Sequence, residues 1–155
     1  MIPQKVRDIL SSNGLKALEF EPGSTPTSQL AARQLGVEVG QIAKSILFVA
    51  KDGRAFLVVC PGDRKVNSSK LKANIGVKTR LAGPEETLEL TGFAPGGVCP
   101  FGVDKAEILI DIHLSQYDVI YPAAGDDASA VPIRFEQLVS ITGGKVLDLT
   151  VPMAE

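Results

Sequence analysis

Lys44 is the first residue of the sequence whose chemistry stands out from its surroundings. It follows Gln41-Ile42-Ala43 and opens a strongly apolar segment, Ser45 to Ala50. Burying an ammonium group is costly unless the group meets an anion or stays at the rim of a cavity. Lys44 is therefore a candidate for binding a phosphate or a carbonyl oxygen. The alternative is a lysine at a strand end whose ammonium extends into water.

The loop from Gly96 to Gly102 is a second candidate, with the sequence Gly-Gly-Val-Cys-Pro-Phe-Gly. Glycines let backbone N–H groups approach a ligand closely, and a proline restricts the shape of a loop. Such a loop can present preorganised donors to an oxyanion or a carbonyl group. Its spacing matches neither the dinucleotide fingerprint nor the P-loop, because no Gly-Lys-Ser/Thr closes it. The alternative is an ordinary turn.

No conventional catalytic group accompanies these two features. Cys99 lies inside the loop, but a cysteine nucleophile needs a neighbouring base or a cationic setting, and His113 is the only histidine. A Cys99/His113 pair is thus a weaker hypothesis than a packed thiol. No serine stands in a Gly-x-Ser-x-Gly motif. With Cys60 and Cys99 far apart and one histidine, we expect no metal and no cofactor.

The charge distribution points to one local basic segment. The net charge of −2 argues against a protein that coats DNA or other nucleic acid through a large positive field. Between Asp63 and Arg80, however, six basic residues accompany one acidic residue. Such a strip could contact a phosphate backbone, and its candidate contacts are Arg64, Lys65, Lys70 and Lys72. The alternative is a solvated helix face.

Hydrophobic spacing and turn residues predict the elements that must position these residues. Thr25-Pro26 or Thr27 is expected to begin a helix that ends at Gly36. Lys51-Asp52-Gly53-Arg54 is typical of a hairpin turn between two strands. The predicted helices are Pro3 to Asn13, Thr25 or Thr27 to Leu35, Asn67 to Asn74, Pro84 to Leu90 and Arg134 to Ile141. The predicted strands are Leu15 to Phe20, Ser45 to Ala50, Ala55 to Cys60, Ile108 to Ile112, Val119 to Tyr121 and Val146 to Leu149.

The two strands of the hairpin are apolar throughout, which favours strands covered on both faces. The element order is mixed rather than a regular βαβ alternation. We therefore predict an α/β (α+β) fold, a single domain over residues 1–155, with a mixed, strongly curved sheet surrounded by helices. No apolar run is long enough to span a bilayer and the first ten residues lack a signal core, so a cytoplasmic location is expected.

Several segments, in this order, resemble the YbaK/prolyl-tRNA-synthetase-associated editing domains. The resemblance runs from about Leu15 to Leu149. Each segment alone is weakly specific, but their order and spacing identify the family. They are Ala31-Ala32 through Leu35-Gly36-Val37, Gln41-Ile42-Ala43-Lys44-Ser45, Val58-Val59-Cys60-Pro61-Gly62-Asp63, Leu90-Thr91-Gly92-Phe93, the loop Gly96 to Gly102, Ala123-Ala124-Gly125 and Ile133-Arg134-Phe135.

The resemblance implies hydrolysis, in trans, of the ester between a wrong amino acid and the terminal adenosine of tRNA. In the family, the lysine matching Lys44 contacts the substrate end of the tRNA, and the loop matching Gly96-x-x-x-Pro100 holds the aminoacyl group. The nucleophile is expected to be a positioned water or a group of the substrate. The implied catalytic residues are Lys44, Gly96, Gly97 and Pro100. The implied substrate-binding residues are Thr25, Thr27, Ser45, Val98, Cys99, Phe101, Gly102, Ala124 and Gly125.

Two departures from the family pattern bear on the substrate. Many members have serine or proline where Cys99 stands, and Asp126-Asp127 follows Gly125 where other branches often have basic or neutral residues. Two carboxylates would repel a phosphate unless they face the substrate's amino group. Ala-, Cys-, Ser- or Thr-charged tRNA, on tRNA-Pro or a related tRNA, is the expected substrate.

Two further hypotheses come from other classes of protein. The chain could be a non-catalytic module that binds tRNA ends or an aminoacyl-tRNA synthetase, which is also a candidate partner of an editing enzyme. Alternatively, Lys44 could act as a Schiff-base amine in an unrelated enzyme.

Overall fold

The structure, a computed structural model, describes residues 1–153. Five short helices and nine strands alternate irregularly along these residues. The helices are α1 Gln4–Ser12, α2 Ser28–Leu35, α3 Ser68–Ile75, α4 Pro84–Thr91 and α5 Phe135–Thr142, with 3-10 turns at Val39–Gln41 and Ile112–Gln116. The strands are β1 Leu18–Glu19, β2 Ala43–Ala50, β3 Ala55–Pro61, β4 Arg64–Val66, β5 Thr79–Leu81, β6 Glu107–Asp111, β7 Ser129–Ala130, β8 Lys145–Leu147 and β9 Thr150–Pro152.

The central sheet has five strands in the order β5-β2-β3-β6-β8. The β2 strand pairs antiparallel with both β3 and β5, whereas β6 pairs parallel with both β3 and β8. Two small antiparallel pairs, β1 with β7 and β4 with β9, lie outside it. The predicted mixed α/β fold is therefore confirmed.

The β3 strand lies in the middle of the sheet and is buried along its whole length. Its successive side chains pack alternately into two hydrophobic clusters, because side chains alternate between the faces of a strand. Leu57 and Val59 join the cluster that contains residues of α1 and α5, and Phe56 and Val58 join the cluster that contains Leu71 of α3. Coverage of β3 on both faces, predicted from its continuous apolar run, is confirmed.

Local capping signals set the ends of the helices. Thr27 is the residue that caps α2, since its hydroxyl oxygen accepts a hydrogen bond from the Leu30 N–H at 3.2 Å. The alternative cap at Thr25-Pro26 is wrong, because the helix begins only at Ser28. Gly36 ends α2 in the left-handed conformation, with φ of 70°. Within residues 1–153, every helix is too short or too polar to cross a membrane.

The sequence predictions were least accurate for the short strands, whose pairing partners lie far away in the chain. The predicted strand Leu15 to Phe20 reduces to β1, and Val119 to Tyr121 forms only two isolated bridges, Ile42 with Tyr121 and Ile120 with Ile133. Four short strands were not predicted: β4, β5, β7 and β9. Each exists because a partner far along the chain supplies its hydrogen bonds, as in the pairing of Lys65 with Val151.

Asp111 ties the end of β6 to the segment between β8 and β9. Its fully buried side chain accepts hydrogen bonds from the Leu149 N–H at 2.9 Å and the Thr150 hydroxyl at 2.7 Å. The Thr150 hydroxyl oxygen accepts in turn from Arg64 Nε at 2.7 Å. Asp111, His113 and Asp148 bring potential metal ligands within 4.8 Å of one another. Asp148 and Asp111 already accept hydrogen bonds from protein donors, which gives this cluster a structural role.

Replacing Asp111 with alanine is expected to destabilise the fold. Two buried donors would lose their acceptor, at a cost on the order of 3 kcal/mol in the free energy of unfolding. Urea denaturation of Asp111→Ala and of the control Asp118→Ala measures the difference, because Asp118 is exposed. Equal stability of the two variants would contradict the structural role of Asp111.

Candidate functional site

A pocket of about 400 Å³ lies beside the amino-terminal half of β2. Its floor comes from Ile42 to Leu47, and its walls come from four other places in the chain. They are the entry to α2, the segment leading from β5 into α4, the start of the glycine-rich loop, and the segments around residues 121–123 and 129–130. Lys44 and the glycine-rich loop, chosen separately from the sequence, thus meet at one cavity.

At the floor of the pocket, one edge of β2 includes a short stretch without backbone hydrogen-bond partners. The bonds from Gly62 N–H to Ile42 O and from Ala50 N–H to Arg54 O show that the even-numbered residues of β2 point their backbone groups toward β3. Because these directions alternate along a strand, the odd-numbered residues point their backbone groups to the opposite edge. There Ala43 N–H donates to Tyr121 O at 3.2 Å, and Leu47 O accepts from Ala82 N–H at 2.9 Å.

Ser45 lies midway between these two contacts. By the same alternation its N–H and C=O point to the open edge, and within residues 1–153 neither has a backbone partner there. Its hydroxyl oxygen is the one buried side-chain polar atom without a hydrogen bond in the described part of the chain. Since buried polar groups are nearly always paired, this cluster of three groups at the pocket is suited to a polar ligand.

Lys44 lines the same pocket and is half-buried. Among residues 1–153, no carboxylate lies within 4.0 Å of its ammonium group. Its neighbour across the ladder is Cys60, whose pKa is raised to about 12 by burial. No acidic residue lines the pocket in the described chain. Lys44 is therefore a cation free to bind an anion or a polarised carbonyl of a ligand.

Only the beginning of the glycine-rich loop reaches the pocket, through Gly96 and Val98. Gly96 has φ of 92°, a conformation that favours glycine, and packs on Pro26. The N–H of Gly97 donates to Ala94 O at 3.0 Å, so this donor is used within the loop itself. A Cβ atom at Gly97 would lie 2.7 Å from the Asp126 Cα, which shows how closely the loop packs on the neighbouring chain.

The later part of the loop lies away from the pocket. Cys99 and Phe101 are buried in the core, and Pro100 and Gly102 line a second cavity beside α1. Burial raises the pKa of the Cys99 thiol to about 12, more than the opposing effects of the Phe101 N–H and Lys5 can lower it. The thiol is thus neutral at physiological pH, and His113 bonds Asp148 instead, at 3.0 Å. The Cys99/His113 nucleophile hypothesis has no support from this geometry.

The segment from Ala124 to Asp127 supports the pocket wall from behind. Ala124 is fully buried, and Gly125 packs against Pro3 and Phe93. Asp127 binds the entry to α2 by accepting from the Gly23 N–H through its carboxylate and from the Thr25 N–H through its carbonyl. Burial raises the pKa of Asp126, but hydrogen bonds from Ser129 and Ala128 outweigh it and leave the pKa below its usual value. Neither aspartate lines the pocket, so neither is placed to meet a ligand's amino group there.

The predicted basic contacts divide into two kinds. Arg64 donates to both oxygens of Thr150, and Lys70 donates to Asp148 and to the Thr150 carbonyl, each at 2.9 Å. These two side chains hold β9 and the β8–β9 segment. Lys65 and Lys72 are exposed and have no ion pair among the described residues. They remain the better candidates for contact with an external phosphate.

Sequence reasoning missed several polar pocket residues. Thr25, Thr27 and Ser45 were predicted and do line the pocket, but Ser28, Thr87, Tyr121 and Ser129 line it as well. These four come from different elements and follow no shared motif. Only Tyr121 carried a signal, as one of two tyrosines, at the end of a predicted strand.

The same architecture occurs in solved structures. A structure provisionally described as a trans-editing enzyme for prolyl tRNA synthetase superposes with a TM-score of 0.86 at 36% identity, covering 96% of each chain. A second structure, of hypothetical protein APE2540, gives a TM-score of 0.88 at 29% identity, covering 95% of this chain and 99% of that one. The fold is thus that of solved chains of similar length.

Sequence comparison identifies the family. The model described as "Aminoacyl-tRNA editing domain" matches residues 22–141, so the chain belongs to the aminoacyl-tRNA editing domain family. The uncharacterized protein YwhH of Bacillus subtilis (strain 168) is 36% identical over 83% of this chain and 82% of its own length. EbsC of Enterococcus faecalis (strain ATCC 700802 / V583), provisionally named a Cys-tRNA(Pro)/Cys-tRNA(Cys) deacylase, is 26% identical over 80% of this chain and 77% of its own length.

A further relative places the family within a larger enzyme. The proline-tRNA ligase of Thermosipho melanesiensis (strain DSM 12029 / CIP 104789 / BI429) is 38% identical over 55% of this chain, which is 15% of that ligase. The family resemblance drawn from the sequence segments is therefore confirmed.

Replacing Gly97 with alanine is expected to disturb the pocket wall. The new Cβ would meet the Asp126 backbone at 2.7 Å, and relieving such overpacking costs about 1–3 kcal/mol of stability. Thermal unfolding of Gly97→Ala measures this cost. Gly83→Ala is the matched control, because no atom lies within 4 Å of a Cβ at Gly83 and its φ is ordinary. Equal melting temperatures for both variants would refute the tight packing.

Proposed function

We propose that this protein is a trans-editing deacylase that hydrolyses the ester between a wrong amino acid and the terminal adenosine of a tRNA. The observation that carries the proposal is a pocket lined both by Lys44, which has no ion pair among the described residues, and by the open polar edge of β2 at Ser45, in a member of the editing-domain family. The substrate presents phosphates, a carbonyl and an amino group close together at its end, and this pocket offers partners for such groups.

The reaction needs little from the protein beyond orientation and electrostatics. In the proposed step, the oxygen of a water attacks the carbonyl carbon, the ester C–O bond breaks, and the ribose hydroxyl takes a proton as the amino acid leaves. Lys44 anchors a phosphate or the carbonyl oxygen, and the backbone N–H groups of Gly96 and Val98 polarise the carbonyl. An aminoacyl ester is already activated, so positioning and oxyanion stabilisation can supply much of the acceleration. This assignment fits the neutral thiol of Cys99, which is not placed to attack.

The substrate errors proposed are Ala-, Cys-, Ser- or Thr-charged tRNA, with tRNA-Pro as the first candidate. The names of two relatives support tRNA-Pro, since one is a provisional Cys-tRNA(Pro) deacylase and another a proline-tRNA ligase. A pocket of about 400 Å³ is compatible with a small aminoacyl group and part of the ribose. A synthetase that produces the mischarged tRNA is the proposed partner, and the cytoplasm the proposed location.

Lys44→Ala is expected to lower kcat/KM for the best mischarged substrate by about 100-fold or more, the usual cost of losing one electrostatic contact to the reacting group. Release of amino acid from a panel of Ala-, Cys-, Ser- and Thr-charged tRNAs measures the activity. Lys51→Ala is the control, because Lys51 is exposed in the hairpin turn that follows β2. An active Lys44→Ala enzyme would remove Lys44 from the mechanism. Binding of tRNA with no hydrolysis of any substrate would favour the non-catalytic module instead.

Lys65 and Lys72 are proposed to contact the tRNA backbone. Replacing each with glutamate is expected to weaken kcat/KM and to reduce the slope of log(kcat/KM) against log[salt] by about one per lost phosphate contact. Lys105→Glu provides a control, since Lys105 is exposed outside the basic segment. If all three variants have the salt dependence of the unmodified protein, Lys65 and Lys72 belong to a solvated surface.

A further inference from the structure

We propose that the open edge of β2 at Ser45 binds the α-ammonium group of the substrate, so that the enzyme acts on aminoacyl esters with a free amino group and rejects N-acylated ones. This inference rests on the proposed deacylase function. It specifies the chemical class of ester that the same site accepts.

The partner of the substrate's amino group must be a neutral acceptor. An α-ammonium has three N–H donors and a positive charge, and carboxylates are its usual partners. Here no carboxylate lines the pocket, and the two nearby aspartates of the 124–127 segment bind their own chain. Lys44 repels an ammonium. Carbonyl and hydroxyl oxygens are left as the acceptors.

Ser45 brings two such acceptors together. Its C=O points to the open edge, and its hydroxyl oxygen is buried without a partner. Ala43, two residues earlier, points its own C=O to the same edge, about 7 Å along the strand by the usual rise. The side chains of Lys44 and Ser45 leave the strand on opposite faces, which keeps the lysine ammonium apart from this acceptor group.

The Ser45 N–H provides a hydrogen-bond donor for the substrate in addition to these acceptors. It lies on the same edge as the Ser45 C=O, and it can donate to the carbonyl oxygen of the ester while the C=O accepts from the ammonium. An amino acid bound in this way forms the pair of hydrogen bonds that an added strand residue would form. The side chain then faces the surrounding small residues, among them Ala43, Ala123 and Ala130.

N-acylation would defeat each of these contacts. It removes the positive charge and two of the three donors, which leaves the buried acceptors at Ser45 unpaired. A site built to bind a donor discriminates strongly against an analogue that lacks it.

The test compares three esters of one tRNA: alanyl-tRNA-Pro, its N-acetyl derivative and lactyl-tRNA-Pro, in which a hydroxyl replaces the ammonium. Each enzymatic rate is divided by the base-catalysed rate of the same ester without enzyme, because the ammonium itself activates the ester. We expect kcat/KM to fall by about 100-fold or more for the N-acetyl ester and by about 10-fold or more for the lactyl ester. Normalised rates within about threefold of one another would overturn the proposal while leaving the deacylase function intact.

Ser45→Ala separates a binding role from a structural one. Its hydroxyl has no partner in the free protein, so the melting temperature should not fall, whereas the preference for alanyl over lactyl ester should narrow by about 10-fold. Ser69→Ala is the control, because Ser69 is exposed on α3. An unchanged preference in Ser45→Ala would exclude the hydroxyl as an acceptor of the ammonium.

A binding measurement with non-hydrolysable substrate analogues tests the inference even if no hydrolysis is observed. The stable amide 3′-alanylamino-3′-deoxyadenosine and its N-acetyl form are titrated into the protein while the backbone amide signal of Ser45 is followed by NMR. The free-amine compound is expected to shift this signal at concentrations about 10-fold or more below those needed for the N-acetyl compound. Equal affinities would contradict the proposal. Selective binding of the free amine together with a complete absence of hydrolysis would contradict the deacylase function alone.

Discussion

The arrangement of the structure depends on how the backbone groups of β2 are paired along the two edges of this strand. On one edge β3 satisfies them along the whole strand. On the other, β5 covers only the carboxyl-terminal half and the Tyr121 bridge covers only the first residues. Pro84, which the register of β2 with β5 places opposite Ser45, explains why that ladder stops, since proline has no N–H and cannot extend it. Because buried peptide groups require a partner, the unpaired centre of β2 faces a cavity, and it forms the floor of the pocket.

The other elements of the fold fix the positions of the strands and helices around the unpaired stretch of β2. The fully buried β3 strand fixes β2 from one side, and the Asp111–Thr150–Arg64 contacts fasten the carboxyl end of β6 to β9. On the pocket side, Arg80 of β5 forms a double hydrogen bond with Glu86 of α4, which lowers the pKa of Glu86 to about 2. That pair joins the end of β5 to the helix at the pocket wall. A cavity bounded by firmly held elements keeps its polar groups in place before a ligand arrives, which is the property that electrostatic catalysis requires.

The two departures from the family pattern have structural explanations. Cys99 stands in the core and not at the pocket surface, so its thiol fills space beside Phe101. Asp126 and Asp127 bind backbone N–H groups of their own neighbourhood, which fastens the entry of α2 to the segment behind the pocket wall. Neither carboxylate lines the pocket.

Local chemistry in the sequence was enough to predict the helices, the hairpin with its Asp-Gly turn, the buried character of β3, and Lys44 and the glycine-rich loop as candidate site residues. These features follow from capping, turn geometry and the spacing of apolar residues, which act over a few positions. The short strands β4, β5, β7 and β9 escaped prediction because their partners lie far away in the chain. For the same reason, only the tertiary structure showed that Gly96 and Val98 face the pocket while Cys99 and Phe101 turn into the core. The importance of Ser45 also depends on the fold, because a serine becomes an open hydrogen-bonding position only when the strands on either side stop short of it.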